Sequence, residues 1–210
     1  MNSSEFKAIA KEKLEGKTGT LAIITLIYIV ITAACGKIYE PLTLIVGGPL
    51  NLGLAIVSLK VVNEESVEIK DVFSGFYNFG NAIVLYLVNS LFIFLWSLLL
   101  IVPGIIKSYS YSMSFYIMAA QPEISASEAR NRSMELMAGN KMRLFKLHLS
   151  YLGWFLLSIL TCGILLLWVM PRIDAATAAF YQEISGEGRT PVGNDETTEE
   201  TVSYDYTSIE

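Results

Sequence analysis

Charge is nearly absent from three long stretches of this chain. From Thr18 to Leu59 only Lys37 and Glu40 are charged, from Val72 to Pro122 only Lys107, and from Leu147 to Gln182 only Arg172 and Asp174. A helix in water keeps a polar outer face. These stretches cannot supply one, so the pattern predicts helices whose outer sides meet lipid. Ahead of the first stretch, residues 3–17 have helical period. Phe6, Ile9, Ala10 and Leu14 share one face, and Lys7, Lys11, Lys13 and Lys17 fall on the others. Ser3 or Ser4 can cap this helix, and Gly16 and Gly19 end it. An amphipathic helix before a hydrophobic run suits a membrane surface.

The run Leu21–Cys35, with lysines ahead of it, has the outline of a signal peptide, and Thr32-Ala33-Ala34-Cys35 that of a weak lipoprotein box. Later segments are equally apolar, so it is read as an uncleaved first span. The second apolar stretch, Pro41–Val62, holds Gly47-Gly48-Pro49, Asn51 and Gly53. Pro49 lacks a backbone donor and crowds the preceding turn, which predicts a kink or a break into half-helices. Gly80 to Ala120 is long enough for two spans at ~20 residues each. Val102-Pro103-Gly104 divides it into a tight hairpin. In the polar segment that follows, Ser125 and Glu128 form a capping box, Ala126–Met137 reads as a helix, and Gly139-Asn140 stops it. Leu144 to Glu183 as one helix would be about 60 Å long, twice the hydrocarbon thickness. It divides at Thr161-Cys162-Gly163, and Pro171 kinks the second arm.

The expected fold is an all-α polytopic transmembrane bundle. Its spans are 20–36, 41–62, 80–102, 104–120, 144–160 and 163–182, arranged as three hairpins, with a cytosolic helical loop over 121–143. The domains are an interfacial helix at 1–19, a membrane domain at 20–183 and a tail at 184–210. A five-span alternative stops at Met170 and leaves the remainder as a surface helix. The last two hairpins are alike, each with a tryptophan (Trp96, Trp154) and a closing Glu-Ile-Ser, at 123–125 and 183–185.

Composition agrees: 53% of the 210 residues are hydrophobic and 17% charged, against about 25% charged in soluble domains. The net charge of −5 belongs to the tail, where seven acids face only Arg189. Rich in Gly, Thr, Ser and Glu, the tail cannot bury enough apolar surface to order itself. With six spans, Lys7, Lys11, Lys13, Lys17, Lys60, Lys70, Arg130, Arg132, Lys141, Arg143 and Lys146 share one side, and Lys37 and Lys107 mark the other. The positive-inside rule then puts both termini in the cytoplasm.

Two cysteines, Cys35 and Cys162, and the single His148 make neither a disulfide framework nor a metal set. No nucleophile elbow, P-loop, zinc-protease or dinucleotide motif is present. The expectation is no enzyme, no cofactor, no metal and no nucleic acid. Polar groups inside spans are costly and mark candidate sites: Asn51, Asn89, Lys107, Tyr111, Arg172 and Asp174. Arg172 and Asp174 are two residues apart and point to different sides of a helix. Gly48, Pro49, Pro103, Gly104, Gly163 and Pro171 shape the kinks and hairpins. The basic residues of 121–146 suit anionic lipid headgroups. The expected role is that of a non-enzymatic accessory or envelope-associated membrane protein. The alternative is a small-solute transporter or channel, using the break at Pro49 and Asn51 with Lys107 or Arg172. A shared hydrated cavity would favour transport.

The chain resembles the DUF975 family of uncharacterised prokaryotic integral membrane proteins. The likeness rests on Gly48-Pro49-Leu50-Asn51-Leu52-Gly53, Asp71-Val72-Phe73-Ser74-Gly75-Phe76, Ser108-Tyr109-Ser110-Tyr111 and Pro122-Glu123-Ile124-Ser125-Ala126. It is sharpest at Ser133-Met134-Glu135-Leu136-Met137-Ala138-Gly139-Asn140-Lys141, followed by Leu144-Phe145, Leu149-Ser150 and Gly153-Trp154, and closes with Pro171 and Ala178-Ala179-Phe180-Tyr181. Met142 stands where an aromatic is expected and Arg172 where tyrosine is, which weakens Arg172 as a family-wide site. The resemblance implies a prokaryotic cytoplasmic membrane and brings no activity.

Overall fold

The computed structural model describes residues 3–38, 40–161 and 163–186. Cys162, the side chain of Lys37 and the acidic tail from Glu187 onward lie outside the described residues. The helices are α1 (Ser3–Lys13), α2 (Thr18–Ile38), α3 (Glu40–Val62), a 3-10 helix (Ile69–Phe76), α4 (Phe79–Leu99), α5 (Ile101–Tyr111), α6 (Ser114–Ala120), α7 (Ala126–Leu136), α8 (Lys141–Leu149), α9 (Leu152–Leu160) and α10 (Leu166–Ser185). The described residues contain no strand. Three helical segments are long and apolar enough to cross a membrane: Thr18–Gly36, Leu44–Val62 and Phe79–Leu99.

α3 is the central post. Of its apolar window 72% is buried, against 17% in each of α2 and α4. It packs against α2, α4, α6, α10 and the 3-10 helix. Its Gly-rich stretch makes this possible. A Cβ on Gly48 would overlap the backbone of Ala82 in α4, and one on Gly53 the carbonyl of Val72 in the 3-10 helix. Gly75 lies in turn against Pro49 and the Gly53 amide. Of the kink and the break that Pro49 allows, the break into half-helices is not found, because α3 runs through Pro49 as one helix. Proline removes only one ladder bond, and α3 is packed closely on both flanks there, by α4 at Gly48 and by the 3-10 helix at Gly53.

The hairpin between α4 and α5 turns three residues earlier than its Pro-Gly pair predicts. Leu100 alone is extended, at φ −159° and ψ 140°. Its N–H donates to Trp96 O at 3.1 Å, and its carbonyl accepts from the Gly104 N–H at 3.3 Å. Pro103 thus falls in the first turn of α5, where a missing N–H costs nothing. Gly104 lets α5 close on Ser97. Leu98 to Val102 are 64–75% exposed, a turn made only of aliphatic residues.

Two expected spans are divided. Residues 104–120 break at Ser112-Met113, between α5 and α6, and residues 144–160 break at Ser150-Tyr151, between α8 and α9. The first break is sealed by Ser133 of α7. Its hydroxyl donates to Ser110 O at 2.8 Å and accepts from the Met113 N–H at 3.2 Å. The turn around Gly163, which has φ +84°, falls where the sequence predicts it, and α10 carries Pro171 within one helix. Ser125 caps α7 through the Glu128 N–H, as expected.

α1 spends its apolar face on protein. Phe6, Ala10 and Leu14 are buried, and Phe6 meets Phe180 of α10 edge-on at 5.4 Å. The small residues Ala175, Ala176, Ala178 and Ala179, all buried, let neighbouring helices approach α10 closely.

Candidate functional site

The polar residues singled out in the sequence fall into three separate places. The first lies inside the bundle, where α2, α3, α6 and α10 meet. Asn51 donates through Nδ2 to its own helix, at Gly47 O, 2.7 Å. The phenol of Tyr28 has Tyr86, Asp174 and Asn51 as polar neighbours. Asp174 lines a small cavity with Thr25, Ser58 and Pro171. The Thr25 hydroxyl donates to Leu21 O at 2.9 Å and the Ser58 hydroxyl to Leu54 O at 2.7 Å. With their hydrogens committed to their own helices, both offer only lone pairs to the cavity. Tyr116 reaches the backbone carbonyl of Asp174 at 3.5 Å. No cation among the described residues lies within ion-pair distance of Asp174. The free space is about 10 Å³, at the lower limit for a single water.

The second place is the seam between α4, α5 and α7. Lys107 stands over the Trp96 ring at 5.3 Å, and Tyr111 packs on Phe92 at 6.4 Å. Arg130 of α7 stands 4.8 Å from the Phe92 ring. One turn earlier in α4, Asn89 is buried, and its Oδ1 has no hydrogen-bond partner among the described residues. Cation-on-ring contacts disperse charge against an aromatic face without a carboxylate. The seam therefore holds two cations in packing roles.

The third place is a groove of about 160 Å³ between α1, α9 and α10, lined by Lys7, Lys11, Tyr151, Trp154, Val169 and Arg172. Lys7 donates to Ser150 O at 2.6 Å and stands 4.5 Å over the Tyr151 ring. The Tyr151 hydroxyl donates to Arg172 O at 3.5 Å. Burial pushes the Lys7 ammonium below lysine's ordinary pKa. No carboxylate among the described residues pairs with Lys7, Lys11 or Arg172.

Asn51 and Asp174 thus share a neighbourhood, while Lys107, Tyr111 and Asn89 share another and Arg172 faces a third. Asn51, Lys107 and Arg172 do not meet around one passage. Among the described residues, no group of three His, Cys, Asp or Glu gathers.

Three features escaped the sequence reading. His148 links α5 to α10, with Nδ1 3.3 Å from the Tyr109 hydroxyl and Nε2 3.4 Å from that of Thr177. Thr177 spends its hydrogen on Ile173 O, so the imidazole hydrogen belongs on Nε2. Asp71, buried, pairs with Lys60 at 3.0 Å and accepts from the Glu68 N–H at 2.8 Å, tying the 3-10 helix to α3. Lys7 and Lys11 form a pair with Arg172 that only tertiary packing creates, although their i, i+4 spacing already puts the two lysines on one face.

No curated protein and no solved structure matches the chain. A match to the family described as "Protein of unknown function (DUF975)" covers residues 1–107 and 98–188, which take in every helix described above, and the chain belongs to that family.

Proposed function

We propose that the chain is an integral protein of a prokaryotic cytoplasmic membrane, that it crosses the bilayer six times as three hairpins with both termini in the cytoplasm, and that it acts as a non-catalytic accessory or envelope-associated protein. The observation that carries this is the clustering of polar ties at one end of the bundle. Lys13 pairs with Glu64, Lys17 with the Glu65 carbonyl, Gln182 with Asn63, Asn78 with the Pro122 carbonyl and Arg143 with Glu183. Those contacts bring the start of α2, the 63–78 connection, the 121–140 segment and the end of α10 together. An even number of crossings requires that arrangement. The basic residues lie in these segments, which agrees with the positive-inside rule.

The divided pairs α5–α6 and α8–α9 are counted as single crossings. Each pair is about 20 residues long, the length a span needs. A broken helix is tolerated at membrane depth where its freed backbone groups find partners, and Ser133 supplies them at the first break. The five-span alternative has less support, because α10 runs unbroken through Met170 and Pro171. Transport has less support too, since its three key residues do not share a cavity.

A reporter active on only one side of the membrane, fused after Glu210, tests the reading. Cytoplasmic activity is expected, and an external C-terminus would refute six crossings.

A further inference from the structure

We propose that Asp174, Thr25 and Ser58 form a binding site for a small monovalent cation, sodium, inside the bundle where α2, α3 and α10 pack together. The site is defined by contacts within the protein. It does not depend on how often the chain crosses the bilayer, and it goes beyond the role proposed above.

The first argument is the carboxylate. Among the described residues the Asp174 side chain has no hydrogen bond and no ion pair, and Tyr116 reaches only its backbone carbonyl. By contrast, Asp71 pairs with Lys60 and Glu183 with Arg143. Arg172, two residues from Asp174, faces a different groove. The phenols of Tyr28 and Tyr116 are its titratable neighbours, and neither brings a positive charge. Apart from the three polar residues, the cavity wall is Leu, Ile, Val, Ala and Pro. A carboxylate left bare against such a wall is costly.

The second argument is what faces the carboxylate. Thr25 and Ser58 are 7% and 5% exposed, and both line the cavity. Their hydrogens go to Leu21 O and Leu54 O in their own helices. The three side chains thus gather oxygen lone pairs around one space and offer it no donor. Acceptors do not satisfy an anion, but a cation takes electrons from all of them. Carboxylate and hydroxyl oxygens are the ligands that hard cations prefer.

The third argument is size and charge. The free space of about 10 Å³ holds one particle no larger than a water. A hydrated ion is excluded, and potassium would have to push the three helices apart. One carboxylate balances one positive charge, and no second acid lines the cavity, which selects a monovalent ion. A water would fill the space and leave the charge. Asp174 is only partly buried, which leaves an ion a way in.

The test melts the full chain in detergent, in equal concentrations of sodium, potassium and choline chloride. Sodium should raise the thermal midpoint by about 3 °C over the other two, the shift of a site at about ten times its dissociation constant. Asp174→Asn keeps the shape, removes the unpaired charge and should lose the shift. Thr25→Val and Ser58→Ala should each raise the sodium concentration required about tenfold. Thr32→Val should retain the shift, because the Thr32 hydroxyl bonds its own helix at Tyr28 O and does not line the cavity. Equal midpoints in the three salts, or a sodium shift that persists in Asp174→Asn, overturns the site and leaves the proposed crossings intact. A shift that potassium matches overturns the assignment to sodium. Should Asp174→Asn fail to fold, unchanged sodium dependence in both hydroxyl variants overturns the site. An infrared band of a protonated carboxyl at neutral pH, absent from Asp174→Asn and unmoved by sodium, would put a proton in place of the ion and overturn it as well.

Discussion

Ser133 does for the bundle what no apolar residue could. The break between α5 and α6 frees a carbonyl at Ser110 and an amide at Met113, both buried, and one hydroxyl answers both. An unsatisfied buried backbone group costs about 1–3 kcal/mol. Ser133→Ala removes both partners and adds no bulk. It is expected to lower unfolding free energy in detergent by about that amount or somewhat more, measured as a shift in the thermal or denaturant midpoint. Ser112→Ala is the control, since the Ser112 hydroxyl donates to Tyr109 O within its own turn. Equal effects from the two substitutions would mean that Ser133 seals nothing. The charged residues in apolar surroundings are handled differently. Lys107 and Arg130 rest on aromatic rings, while Asp174 faces hydroxyls whose hydrogens are committed elsewhere.

At the scale of elements, the packing of α3 is decided by glycines. Gly53 lies so close to Val72 O that any Cβ must displace the 3-10 helix. Gly53→Ala should therefore destabilise by several kcal/mol, in the range of severe overpacking. Gly80→Ala, where a Cβ meets nothing within 4 Å, should be neutral or slightly stabilising. Parallel melting curves of the two variants check this, and a mild Gly53→Ala would contradict the close approach. These elements also mark how far the sequence could be read. The apolar stretches, the capped α7 and the turn at Gly163 were legible because periodicity, caps and glycine act locally. At Pro49 the local rule allows a kink or a break, and α3 is not broken there; the packing on Gly48 and Gly53 comes from residues distant in sequence. The breaks at Ser112 and Ser150 carry no Pro or Gly, so no local signal announces them. Of the candidate site residues, Asn51 with Asp174 and Lys107 with Tyr111 were found as types. Their grouping into separate places depends on which helices touch, and spacing does not reveal that.

Across the whole molecule, the polar ties gather at one end, and exposed apolar residues such as Val30, Leu91, Phe94, Leu98 and Leu156 lie on other helices. Arg143 Nη2 donates to both carboxylate oxygens of Glu183, at 2.8 and 3.0 Å, and joins α8 to the end of α10. Partial burial tends to raise the Glu183 carboxyl, but the hydrogen bonds and charge of Arg143 outweigh it, and its pKa lies below the usual value. A carboxylate with a depressed pKa stabilises above its unfolded value, about 4.3, and this contribution is lost as pH falls through the lowered folded value. Glu64, lowered by its bond to Lys13, acts in the same direction. The thermal midpoint should be flat near neutrality and decline once pH passes below that window. Glu183→Gln should be less stable than the parent at pH 7, and the two should converge in acid. A gap of constant size across the range would show that the pair contributes nothing through charge.

The aliphatic turn at Leu100 bears on how the protein reaches its place. Both backbone groups of Leu100 are satisfied within the turn, and no side chain from Leu98 to Val102 is polar. A hairpin with such a tip brings nothing hydrophilic to be carried through the bilayer at its leading edge. On the six crossings proposed, it would enter from the cytoplasmic side as a pre-paired unit, with Lys107 following against the Trp96 ring. On that topology, biogenesis of the second hairpin carries no charged or polar tip across the bilayer.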